Sequence, residues 1–129
     1  MANEIQVTVQ LAVTKGLLQY SQTVGTQLYD MTGSTSSGGA QASSVTAGAI
    51  DLNTLTATTV GYAYFRNTSS TAGESILIGT GTGGSFVPFM ELKPREIAVL
   101  RINSSGAGTV PTFRSLAGTP VLQYWIAAT

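Results

Sequence analysis

The side chains best equipped for chemistry lie close together. "MELKPREIAVLRI", residues 90–102, holds Glu91, Lys93, Arg95, Glu96 and Arg101, in a chain with only six basic and six acidic residues. Two carboxylates facing across a cleft would serve a glycosidase, one as acid and the other as base or nucleophile. Glu91 and Glu96 instead flank a turn with Lys93 and Arg95 between them, which describes a neutralised surface group. The chain has no cysteine and no histidine, so Cys-His and Ser-His-Asp machinery and the usual zinc ligand sets are excluded. No dense run of Asp, Asn and Glu offers a calcium loop. The expectation is therefore no catalytic residue, no metal and no cofactor. The charged cluster is read as an interface candidate: Glu91, Lys93, Arg95, Glu96 and Arg101, joined by Trp125.

"GTGTGG" matches G-x-G-x-x-G through Gly79, Gly81 and Gly84. Dinucleotide binding by that motif needs a helix to start at the glycines, so that its N-terminus faces the pyrophosphate. "SFVPFMEL" follows instead, with a proline and no helical period, and the glycines read as a hairpin loop. Tyr62, Tyr64, Phe65, Phe86, Phe89 and Tyr124 sit among aliphatics and read mainly as core. Trp125 is out of phase with Leu122, Tyr124 and Ile126. It is expected at the surface, for subunit contact or for stacking on a sugar.

The elements that must position these residues all read as strands. Ile5, Val7, Val9, Leu11 and Val13 alternate with polar residues, the period of a strand with one buried face. "TKG" is a turn, and "LLQYSQTVGTQLYDM" a strand with a bulge or bend at Gly25. Residues 32–49 are small, polar and uncharged, and read as a long flexible surface loop. "TTVGYAYFRN", "ESILIG", "SFVPFMEL", "REIAVLRI" and "TPVLQYWIA" are further strands, with "NSSGAGTVPTF" as a loop. Within the charged stretch, Pro94 suits the first central position of a turn. The strand Ile97 to Ile102 is apolar on both faces and is expected to be central. The tip charges are expected to pair with one another, and Arg101 with a carboxylate or across a subunit boundary. No segment repeats apolar positions at helical spacing. The fold class is all-β: an antiparallel β-sandwich of the jelly-roll kind, one domain over residues 1–129.

Charged residues make up 9% of the chain and the formal net charge is zero, against about 25% charged in an ordinary soluble domain. A monomer free in solution relies on charge to suppress self-association, so this surface suits a subunit packed against neighbours. Balanced charge argues against nucleic acid, and no stretch reaches the ~20 apolar residues of a membrane helix. "MANEIQVTVQL" lacks the pattern of a secretory leader, and the chain reads as made in the cytosol.

In their order, the segments Glu4–Val13, Tyr64–Asn67, Ile76–Gly79, Phe86–Arg101 and Leu122–Ile126 resemble a family of small structural proteins of tailed bacteriophages. Arg95 stands where that family usually has glycine. The resemblance implies a virion component that decorates or cements the head shell, often as a trimer bound to the major capsid protein. The alternative is a module of the tail or fibre that binds host glycan.

Overall fold

The computed structural model describes residues 4–103 and 110–129. Ten strands and one short 3-10 turn make up its regular structure. They divide into two compact units, residues 1–32 and 33–129; each is described by itself.

The first unit is a ribbon of β1 (Ile5–Lys15) and β2 (Leu18–Tyr29), paired antiparallel. Gly16 takes φ 58 at the two-residue turn, the left-handed conformation that lets so short a loop follow the strand twist. Between Val7 and Val9 the partners jump from Gln27 to Val24, so β2 carries one extra residue beside Gly25, the expected bulge. The register gathers Ile5, Val7, Val9, Leu11 and Val13 on one face with Leu18, Tyr20, Val24 and Tyr29. Hydroxyls and amides dominate the other face, where Thr8 and Thr26 share a hydrogen bond of 3.0 Å. Alternation identified the strand correctly but not its burial. Only Ile5 is buried, and Val9 and Leu11 are 49% and 52% exposed.

The second unit holds two four-stranded antiparallel sheets. One has the order β3 (Ser36–Ala42), β10 (Val121–Ala128), β5 (Val60–Asn67), β8 (Ile97–Arg101). The other has the order β4 (Gly48–Ala49), β9 (Thr112–Ser115), β6 (Ile76–Thr80), β7 (Val87–Leu92). Each sheet has one buried face. Leu122, Tyr124, Ile126, Ala63 and Phe65 supply it in the first, and Ile76, Ile78, Leu92 and Phe113 in the second. Ile50, Leu52 and Leu55, between β4 and β5, are buried as well. The 3-10 turn Gly83–Ser85 joins β6 to β7, so the glycine motif lies in a hairpin connection and no α-helix follows it.

Two expectations are corrected. Residues 32–49 are not one long loop: Ser36–Ala42 pairs with β10 at seven positions, and Gly48–Ala49 pairs with β9. Small side chains permit this, because neighbouring aromatics cover the bare backbone. A Cβ on Gly39 would meet the Tyr124 hydroxyl at 3.4 Å, and one on Gly38 would meet Trp125 Cδ1 at 3.0 Å. The ladder and these rings offset the ordering entropy that composition alone could not. Second, "MELKPREIAVLRI" is not a hairpin. β7 pairs with β6 and β8 pairs with β5, so the turn passes from one sheet to the other. β8 is an edge strand rather than a central one, with Ile97 and Val99 exposed. The loop expected at residues 103–113 falls largely outside the described residues.

Candidate functional site

The corner at residues 93–96 is built from its turn outward. The Glu96 N–H donates to the Lys93 carbonyl at 3.0 Å, and Arg95 takes φ 70. Pro94 followed by a left-handed residue is the pattern of a type II turn, where glycine is the usual second central residue. The Glu96 carboxylate accepts from the Lys93 backbone N–H at 2.9 Å. The turn's carboxylate thus serves the backbone, where pairing among the tip side chains was expected.

A residue given no role by sequence reasoning holds this corner. Asn67 is fully buried and exchanges backbone hydrogen bonds with it, receiving from the Arg95 N–H at 3.1 Å and donating to the Glu96 carbonyl at 3.0 Å. Its side-chain amide donates to the carbonyls of Glu74 and Leu92 at 2.8 and 3.0 Å and accepts from the Ser69 N–H at 3.0 Å. One side chain thereby ties β5, β7 and the segment before β6 together. Buried polar atoms need such partners, and no local pattern marks Asn67, which stands between Arg66 and Thr68.

The six interface candidates do not form one site. Lys93, Arg95 and Glu96 make the corner, while Glu91 pairs with Leu77 in the register of β6 and β7. Arg101 and Trp125 lie on the outer face of the sheet β3-β10-β5-β8. Its ladder sets Gly38, Trp125, Tyr64 and Val99 in one row, with Ala40, Gln123, Arg66 and Ile97 in the next. Tyr62 faces Arg101 beyond them, and the guanidinium lies 4.8 Å from the ring centroid. Arg101, expected to pair with a carboxylate or to reach a subunit boundary, thus stacks within the chain on the Tyr62 ring. Trp125 is 42% exposed, as its phase required.

This face has an aromatic and aliphatic centre, two arginines, and no Asp or Glu among its strand residues. Arg66 belongs to it and was missed, although it continues the Tyr62–Tyr64 phase of β5. Gly38, Ala40, Thr68, Gln123 and Trp125 border an open groove. A separate apolar cavity is lined by Phe65, Ile78, Phe89, Leu100 and Pro111, among others, with no acidic side chain.

Below the sheet, the Tyr124 hydroxyl donates to the Asp51 carbonyl at 2.9 Å. Burial, with the Asp51 charge nearby, pushes its pKa above the usual phenol value. Among the described residues, no three of His, Cys, Asp and Glu come together as a metal site, and no helix is long and apolar enough to cross a membrane. Comparison with protein families, curated proteins and solved structures finds no match to this chain.

Proposed function

We propose that the chain is a non-enzymatic virion protein that decorates and stabilises the capsid shell of a tailed bacteriophage, as a homo-oligomer bound to the major capsid protein. The observation that carries this reading is the outer face of β3-β10-β5-β8. Trp, Tyr and Arg dominate the hot spots of protein interfaces, and charged side chains are depleted from their centres. Trp125, Tyr64, Val99 and Ile97, with Arg66 and Arg101, match that composition. A protein that binds only the assembled shell adds its binding free energy to the shell by mass action.

The strand order supports a jelly-roll body. Corresponding places in the two sheets are filled by strands consecutive in sequence: β3 with β4, β10 with β9, β5 with β6, and β8 with β7. Jelly rolls recur in viral capsid proteins and in lectins; this support is by analogy of fold. Cryo-EM of intact virions tests the reading. Density at copy numbers matching the shell is the expected result, and density confined to the tail would overturn it. Glu91→Gln and Glu96→Gln should keep full shell binding, and loss of function in both would return a hydrolase to consideration.

A second reading, a glycan-binding module of the tail or fibre, is favoured by the groove beside Trp125. Trp125 is the only tryptophan, so its fluorescence reports directly on sugar stacking there. Saturable quenching by a neutral or acidic oligosaccharide, abolished in Trp125→Ala, would favour this reading over shell binding.

A further inference from the structure

The ribbon poses a physical problem that the body does not. A two-stranded hairpin alone is at best marginally stable in water, yet β1 and β2 pair over 11 and 12 residues. Their apolar face is uncovered for most of its length, with Val9, Leu11, Val13, Leu18, Tyr20 and Val24 all exposed. The opposite face is mainly hydroxyl and amide, with Leu28 and Ala12 among them, and Gln22 and Gln27 interrupt the apolar one. Such one-sidedness is the pattern of a sheet that covers its apolar side. Resting on the assembly reading above, we propose that this face is buried against the same face of other copies of this chain.

Three observations select the occupant. First, between residues 5 and 29 the ribbon carries one charged side chain, Lys15, opposite Leu18 at the turn end of this face. The rest of the face is uncharged, so like faces meet there without repulsion and no charged partner is preferred. Second, the shape suits itself. At ~3.4 Å per residue the stripe runs roughly 35 Å, and an equally long, narrow, twisted stripe fits it best. Third, the exposed apolar side chains offer on the order of 500 Å² per copy. Two copies covering each other would bury about 1,000 Å² at the ribbon, the size of a weaker, reversible interface.

The free chain, without shells, provides the test. Sedimentation equilibrium should give at least twice the 13.3 kDa chain mass. The Val9→Thr/Leu11→Thr/Val13→Thr variant keeps β-branched or strand-compatible residues and should fall to the mass of one chain, with the wild-type far-UV spectrum. A wild-type chain that stays at 13.3 kDa would overturn the proposal. So would association unchanged in the triple variant, which would move self-contact elsewhere while leaving the shell reading standing. Because the chain has no cysteine, a single one can be placed on either face. Leu11→Cys should be joined between copies by a short bis-maleimide, and Gln10→Cys on the polar face should not. Equal yields from the two would also overturn the proposal. Shell binding is scored separately, so failure of the capsid reading leaves these outcomes legible.

Discussion

Single residues set the cost of the corner between the sheets. Arg95 at φ 70 holds a conformation that costs an L side chain about 1–2 kcal/mol. Arg95→Gly should therefore raise stability by about 1 kcal/mol, net of the flexibility glycine adds to the unfolded chain; an unchanged or lower urea midpoint would show that the turn is unstrained. Asn67→Ala should do the reverse, costing roughly 3 kcal/mol, because it leaves the buried Leu92 and Glu74 carbonyls without their donor. Asn67→Asp should be at least as severe, since it points an acceptor at two acceptors. Tyr124 makes the alkaline prediction. Its pKa is raised in the folded state, so the neutral phenol is the stabilised form. That contribution is fully present below the unfolded phenol's pKa of about 10 and is lost as pH rises through the higher folded value. Urea midpoints should hold up to about pH 10 and then fall, and Tyr124→Phe should flatten that fall. An equal alkaline loss in the variant would assign it to other groups. The corner's turn was legible from Pro94, whose fixed φ announces it. Asn67 was not, because its value depends on three carbonyl and amide groups that the fold alone brings to it.

Elements were legible where period and phase agree with burial. β10 is the clearest case: Leu122, Tyr124 and Ile126 face in and Trp125 faces out, as the alternation required. β3 failed because its signal is not in its own side chains. Its glycines become a strand only when Tyr124 and Trp125 lie over them, and those residues come more than 80 positions later. β8 failed for a related reason. Apolar residues on both faces describe a central strand and an edge strand with one face left open equally well, and only pairing separates them. Glycines at close approaches should be intolerant in proportion to what they meet. A Cβ on Gly79 would collide with the Val87 carbonyl at the shift in register between β6 and β7. Gly79→Ala should thus cost more than 2 kcal/mol. Gly48→Ala, where a Cβ meets nothing, should be nearly neutral. Comparable denaturation midpoints for the two would contradict this account of the bulge.

For the whole molecule, the scarcity of charge is the feature that sequence and structure share. Its six acidic side chains are drawn partly into backbone service, as at Glu4 with Met31, Asp51 with Asn53 and Glu96 with Lys93. Contacts made through the apolar ribbon face should then be insensitive to sodium chloride between low and physiological ionic strength. Sulfate should strengthen them, because it favours burial of apolar surface. Association that weakens steeply with sodium chloride, followed by sedimentation, would point to the arginines of the outer sheet face instead. Composition announced such a surface but not its partition into an aromatic sheet face and an aliphatic ribbon face, since that division depends on register.

The pairing of β3 with β10 also carries a cost in time. Ser36 meets Ala127 across 91 positions of chain, whereas β1 and β2 close on each other through a two-residue turn. Hairpins form in roughly microseconds, while topologies dominated by distant strand pairs take milliseconds to seconds. During synthesis at ~5–20 residues per second, Ser36–Ala42 waits several seconds for its partner, a glycine-rich segment with no sheet to join. Pulsed hydrogen exchange during refolding should find its amides among the last protected, and early protection there would mean that another strand holds it in the interim.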